Sequence, residues 1–277
     1  MIIQNKYLRC EIEENGGQIH SLKRLDGNIE YMWQGDPQFW KYKNPTLFPI
    51  VGSTFDRHIR VLGQVLPMEQ HGFARLNNFK CVDQQSDRVT MRLCDNDQTR
   101  AIYPFAFNLD ITYRLWDEEL YIDYRVENKS EEIMPFQFGL HPAFSLDYQP
   151  NSSTTDFKVI FHPASDLTFN REERILSLVE EWDLSEEMFK ERGTWMFKDV
   201  NAPFVSLTDG KNGVTVGISG YKWLCFWKKP NAPFLCIEPW HGHGDYEPVE
   251  VDLSQRDGTL VLHPHQHWIT SYSIKPF

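Results

Sequence analysis

The sequence predicts an all-β protein: a single large antiparallel β-sandwich with little helix, occupying residues 1–277 as one domain. Three observations predict it. Apolar and polar residues alternate with period 2 along much of the chain, turn signals recur at short spacing, and only one stretch is persuasively helical.

Taken in chain order, Leu8–Ile12 and Ile19–Leu22 read as strands joined by the turn sequence "ENGGQ". Val61–Leu66 reads as a further short strand. "NNFKCVDQQSDRVTMRLCDND" reads as a hairpin turning at Gln85-Ser86-Asp87. In "FNLDITYRLWDEELYIDYRVENKS", Leu109, Ile111, Tyr113 and Leu115 alternate with polar residues. Beyond a turn at Asp117-Glu118-Glu119, Leu120, Ile122, Tyr124 and Val126 do the same, which predicts a hairpin with one buried face. "PNSSTTD" (Pro150–Asp156) is expected to be a loop within the domain. Arg171 to Lys190, rich in Glu and Leu, reads as the helix, with Ser185 of "DLSEEMF" as N-cap for its second half. After the hairpin turn "DGKNG", strands are expected at Val214–Ile218, Leu224–Trp227, Leu235–Glu238, Thr259–Leu262 and Ile269–Ile274. No internal repeat, low-complexity segment or linker divides the chain.

A chain with 41% hydrophobic and 14% aromatic residues can bury a large core. The formal net charge of -11 argues against nucleic acid as a partner, since phosphate backbones are bound by excess Lys and Arg. No apolar run approaches the roughly 18 residues of a membrane helix, and no apolar core follows a basic start at the N-terminus. The five cysteines (Cys10, Cys81, Cys94, Cys225, Cys236) form no C-x-x-C pair and fit free thiols in a reducing compartment. A soluble cytoplasmic protein is expected, with no membrane partner.

Most of the unusual chemistry lies in three blocks, "MEQHGFAR" (Met68–Arg75), "FGLHPAF" (Phe138–Phe144) and "FLCIEPWHGHGDYEP" (Phe234–Pro248). Each sets a His or Glu among apolar residues beside a chain-bending Gly or Pro, the composition of a ligand pocket. Taken singly, each His is more readily a satisfied interior residue; three such blocks together weaken that view. His241 with His243, and His263, His265 and His267, are spaced two apart and would share a strand face. No Cys or carboxylate at ligand-like spacing completes either set, so no metal site is predicted. A nucleophile elbow and a phosphate-cradling glycine loop are also absent. "DRHIR" (Asp56–Arg60) brings two arginines together, either to hold an anion or as a solvated turn.

Together the blocks resemble the aldose 1-epimerase (galactose mutarotase) family, most closely its LacX-like branch. "YMWQGDPQFW", "LFPIVG", "QHGFAR", "FGLHPAF" and "PNAPFLCIEPWHG" occur in the family's order over nearly the whole chain. The resemblance implies a galactose mutarotase-like supersandwich that interconverts the α and β anomers of an aldohexose without a cofactor. It implies His141 as the general acid at the ring oxygen and Glu238 as the general base at the anomeric hydroxyl. It further implies His71 as a hydrogen-bond partner of sugar oxygens and Trp240 as an aromatic wall. Two departures stand out: Ser53 where relatives of this type carry a sugar-contacting Arg, and Gly193 at or beside the place of a hydroxyl-binding Asp. Arg57 and Arg75 are the candidates to replace that Arg. The expected partner is therefore a small-molecule sugar, handled by a monomer or homodimer. The alternatives are a hexose 6-phosphate held by Arg57, Arg60 or Arg75, and a carbohydrate-binding protein that does not catalyse.

Overall fold

A strand that alternates apolar and polar side chains buries one face only, and the longest hairpin sets the frame of the molecule on that basis. Phe107–Trp116 and Glu119–Asn128 pair antiparallel from Glu119↔Trp116 to Asn128↔Phe107, with every second residue of the latter buried. Asp117 makes the turn with a positive φ of 50°. The computed structural model, which describes residues 1–27, 29–149 and 151–277, extends this hairpin in both directions. On one side lie Arg88–Cys94 and then Lys80–Gln84; on the other, His267–Pro276 leads through Gly213–Gly217, Phe204–Thr208 and Lys158–Phe169. The sheet continues through Thr194–Lys198, Trp223–Trp227, Phe234–His241, Phe138–Leu140 and Thr46–Leu47, giving 15 strands with its two side branches. A separate three-stranded sheet holds Ile2–Gln4, Leu8–Ile12 and Ile19–Arg24.

One contiguous apolar cluster contains Met91 from one end of the long sheet, Val205 from its middle and Ile237 from near its other end. Residues so far apart along a sheet share a core only if the twisted sheet curls over on itself, which makes the β-sandwich. Each fully buried Leu, Ile or Phe contributes about 1.5–3 kcal/mol through this burial. Tyr124 of the long hairpin meets Phe138 edge-on with ring centroids 5.1 Å apart, so the core packs directly against the strands described below.

Three expectations need correction. The stretch Arg171–Lys190 is not one helix: Ile175–Asp183 is a strand on the outer side of Lys158–Phe169, and only Glu186–Glu191 is helical. Irregular register explains the misleading pattern. The pairing shifts between Ile160 and Ser165 and again between Ser165 and Leu167, and Leu178 takes a positive φ of 51°. Leu176, Val179 and Trp182 therefore turn inward at a spacing of three, which mimics a helix. The N-cap holds as expected, with Ser185 Oγ accepting from the Met188 N–H. Val61–Leu66 is likewise two strands, His58–Val61 and Gln64–Pro67, turning at Leu62 and Gly63, both at positive φ. A short helix at Asp97–Ile102, capped by Asn96, was not expected. Pro150, the first residue of the expected loop, lies outside the described residues; Thr154–Asp156 within it forms a single 3-10 turn.

Candidate active site

Glu238 sits on the strand Phe234–His241, which is buried along both faces except at its last residue. One neighbour is Trp223–Trp227, with Cys225 opposite Glu238. The other neighbour is broken in two. Phe138–Leu140 pairs Gly139 with Trp240, and Ala143–Ser145 pairs Ala143 with Cys236. His141 and Pro142 occupy the break, because Pro142 has no N–H to offer the ladder. The register is the same on both sides of the break, so His141 stands across from Glu238 on the same face of the sheet, and His141 Nε2 lies 3.3 Å from Glu238 Oε2.

Neighbouring residues fix that arrangement. Trp240 donates from Nε1 to the Leu140 carbonyl at 3.0 Å. Its indole lies across Gly139, where an added Cβ would stand 2.7 Å from Trp240 Cδ1. Trp40 stacks on the His141 imidazole, with centroids 4.7 Å apart and planes 28° from parallel, and Trp227 meets it edge-on at 5.4 Å. His71 approaches edge-on at 5.6 Å. It is carried on a backbone with φ 63°, and Gly72 beside it is at φ 67°, where an added Cβ would lie 2.2 Å from the Phe48 carbonyl oxygen. A His in the left-handed region is held there by its surroundings, and here the holder is Gly52. The Gly52 N–H donates to His71 Nδ1 at 3.0 Å, and the His71 N–H donates to the Gly52 carbonyl at 2.7 Å.

Electrostatically the site is dry. Glu238 is 1% exposed and His141 7%. Burial raises the Glu238 carboxyl well above the usual carboxylate range. It lowers His141 well below the usual imidazole value, with smaller contributions from His71 and Arg75. Burial, and then the charge of Arg75, pulls His71 down to about 3. With Nδ1 accepting from Gly52, a neutral His71 carries its hydrogen on Nε2 as a donor. Among the described residues, neither Glu238 oxygen has a hydrogen-bond partner, nor has His141 Nδ1. Buried polar atoms left open in this way, at the wall of a cavity, mark a place where a polar ligand completes the bonding.

That cavity measures about 770 Å³ and takes in five of the six expected residues: His71, Arg75, His141, Glu238 and Trp240. Arg57 is not among its lining residues; it lies beside Glu69 at 3.6 Å with its side chain 60% exposed. Arg60 is tied to Asp56 at 2.8 Å. Ser53 is absent from the lining too, although Gly52 is present, and Gly193 is flanked by the lining residues Arg192 and Thr194. Sequence reasoning missed Trp40, Trp227 and the rim group Asn170, Arg171, Arg192 and Tyr246. Trp40 stood within a quoted motif. Tyr246 stood within the block Phe234–Pro248 but was given no role, while Asn170, Arg171 and Arg192 fell in the stretch read as helix or at its edge, so no signal set them apart from ordinary polar surface residues.

Among the described residues, the spaced histidines do not gather with a third side chain of metal-ligand type. His241 stacks on Tyr221, and His243 Nδ1 lies 2.8 Å from the Gly244 carbonyl. His263 and His265 precede the strand on which His267 begins. The one cluster of metal-ligand type among the described residues is His141, Cys236 and Glu238, with donor atoms within 4.8 Å of one another. Its thiol is fully buried and strongly disfavoured as thiolate, by burial and then by Glu238, so this donor set suits proton transfer better than a metal. All five cysteines carry free thiols. Among the described residues, no helix is long and apolar enough to cross a membrane.

A family model described as aldose 1-epimerase matches residues 1–269. The plasmid-borne Protein LacX of Lactococcus lactis subsp. lactis is 28% identical over 261 residues, covering 87% of each chain. A galactose mutarotase related enzyme from Lactobacillus acidophilus superposes with TM-score 0.91 at 28% identity, covering 100% of this chain and 97% of that one. A galactose mutarotase-like protein from Lactobacillus casei superposes with TM-score 0.90 at 26% identity, over 100% and 99%.

Proposed function

The chain belongs to the aldose 1-epimerase family, and on that premise we propose that it is an isomerase interconverting the α and β anomers of an aldose by ring opening and reclosure. One observation carries this reading: two buried ionisable groups, His141 and Glu238, lie 3.3 Å apart with open bonding positions on one cavity wall.

A hemiacetal opens when a proton leaves O1 and another reaches O5. Both oxygens sit on the anomeric carbon, so an adjacent acceptor and donor serve them together. Glu238 takes the O1 proton as base, and His141 gives its proton to O5 as the C1–O5 bond breaks. Rotation about C1–C2 in the open aldehyde turns the carbonyl, and the reverse transfers close the ring on the other face. The pair holds one proton before and after each step: it starts as carboxylate and imidazolium and passes to carboxylic acid and imidazole. Burial favours the second, neutral form, so sugar hydroxyls donating to Glu238 have to stabilise the first. His71, donating from Nε2, supports a sugar oxygen as it gains charge. Trp40, Trp227 and Trp240 give the apolar faces against which pyranose C–H groups pack and keep water from the reacting atoms.

Polarimetry on freshly dissolved α-D-glucose and α-D-galactose tests the proposal. The wild type is expected to speed equilibration, and Glu238→Gln and His141→Asn each to lose at least about 10²-fold. Wild-type and variant curves that coincide would sink the acid–base assignment; binding of sugar without acceleration would leave a carbohydrate-binding protein.

A further inference from the structure

Three arginines line the cavity, Arg75, Arg171 and Arg192. Its carboxylates are two. Glu172 is ion-paired with Arg192, and Glu238 is the buried group beside His141. Arg75 and Arg171 have no carboxylate partner among the described residues; each instead lies over a tyrosine ring, Tyr42 and Tyr246 respectively. Three cations against Glu172 alone leave 3 − 1 = +2, and an ionised Glu238 still leaves 3 − 2 = +1. The whole chain has a formal net charge of -11. An acidic protein that keeps unbalanced cations along one cavity, with Arg171 at its exposed edge, focuses an anion there.

The two unpaired arginines have different stations. Arg75 lies close to the histidines and donates to the Gln70 carbonyl at 3.0 Å. Arg171 belongs to the hairpin end between Lys158–Phe169 and Ile175–Asp183, and its guanidinium stands 3.3 Å from the Tyr246 ring centroid. That ring is held from several sides. Asn170 Nδ2 donates to Tyr246 Oη at 3.1 Å, and Trp223 Nε1 donates to Asn170 Oδ1 at 2.7 Å. His243 stacks with Tyr246, centroids 5.0 Å apart, and the buried pair Asp245–Arg256 fixes the preceding residue. A guanidinium seated on an aromatic face keeps its N–H edges free for the paired oxygens of a phosphate or carboxylate.

We propose that the cavity accepts an aldose bearing an anionic group, a phosphate ester or a carboxylate, remote from the anomeric carbon, and that Arg171 on its Tyr246 platform is the anchor for that group. The assignment rests on the epimerase reading for the position of the anomeric carbon, which places the far end of the sugar away from His141 and Glu238. Arg57 and Arg60, the arginines that drew attention in the sequence, are engaged elsewhere with Glu69 and Asp56.

The test measures anomer exchange by NMR saturation transfer, and binding by calorimetry, for glucose, glucose 6-phosphate and glucuronate. Wild type, Arg171→Gln and Arg171→Lys are compared at low and high salt. The expected result is a kcat/KM for one anionic sugar at least about 10-fold above that for glucose, falling with salt. Arg171→Gln lowers the anionic-to-neutral ratio about 10-fold, and Arg171→Lys recovers part of it. Preference for the phosphate or for the carboxylate identifies which anion is meant. Equal handling of glucose and both anionic sugars, or a ratio unmoved by Arg171→Gln, overturns the proposal. If no sugar exchanges, the epimerase reading fails by itself, and calorimetry still decides the anion site. Tighter binding of an anionic sugar than of glucose, lost in Arg171→Gln, supports it, and no such preference rejects it.

Discussion

His71 and Gly52 bond each other twice, side chain to backbone at 3.0 Å and backbone to backbone at 2.7 Å. This reciprocal pair holds an imidazole in a left-handed backbone conformation and sets which nitrogen carries its hydrogen. Replacing His71 by Ala removes the Nε2 donor and is expected to lower kcat by about 10- to 100-fold, the usual worth of one hydrogen bond to a charged or charging group. The same variant should alter acid stability. Folding pulls the His71 pKa from the ordinary 6.5 down to about 3. As pH falls below 6.5 the unfolded chain takes up a proton that the folded chain refuses, and stability drops toward pH 3. His71→Ala lacks that loss, so its urea-unfolding free energy should decline less steeply from pH 6.5 to 4. An identical slope would contradict a buried neutral imidazole.

Glu238→Gln should be a more stable and much less active protein. Burial holds the Glu238 proton above the ordinary carboxylate range. As pH rises past about 4.3 the unfolded chain releases the proton while the folded chain keeps it, which costs up to about 1.4 kcal/mol per pH unit. The penalty grows until the folded group titrates, and Gln does not incur it. Melting temperatures should therefore favour the variant at pH 8 and converge with wild type near pH 4. A variant that melts below wild type at pH 8 would show that the carboxylate is stabilised in the fold.

The rate should fall on the acid side only below pH 6.5. Activity needs one proton on the His141–Glu238 pair, and a second adds with an apparent pKa below the ordinary imidazole value, because burial opposes His141 protonation. The pH profile of kcat/KM checks this, and an acid limb above 6.5 would contradict it.

Gly139→Ala should injure the site while leaving its ionisable groups untouched. A Cβ there would lie 2.7 Å from Trp240 Cδ1 and 3.0 Å from Val51 Cγ2, so the indole has to move. Overpacking of this kind costs about 1–3 kcal/mol. Denaturant melts should show that loss, together with a fall in kcat as the Leu140 carbonyl contact of Trp240 is broken.

Much of this was legible in the sequence where chemistry repeats locally. The hairpin from Phe107 to Asn128 could be read from alternation, and "FGLHPAF" and "CIEPW" drew attention because an ionisable residue sat among apolar neighbours. What alternation cannot show is pairing across the sheet. His141 meets Glu238 because two strands far apart in the chain pair with Gly139 opposite Trp240 and Ala143 opposite Cys236, and no local pattern carries that register. Ile175–Asp183 failed for a different reason: bulges reset its inward spacing to three, so a strand imitated a helix. Arg57 misled because two nearby arginines suggest an anion site, whereas each has an acidic neighbour of its own.

The strand Ile175–Asp183 pairs with Lys158–Phe169 alone, and the turn joining them closes with the Phe169 N–H on the Arg174 carbonyl at 3.0 Å. Its tip can therefore lengthen, shorten or change composition without disturbing the central ladder that holds Glu238. On the proposed function, such a layout makes reaction and selectivity separable heritable traits. Mutational libraries confined to residues 171–174, sparing Asn170 and its bonds to Trp223 and Tyr246, should retune what enters while leaving the proposed machinery of proton exchange intact.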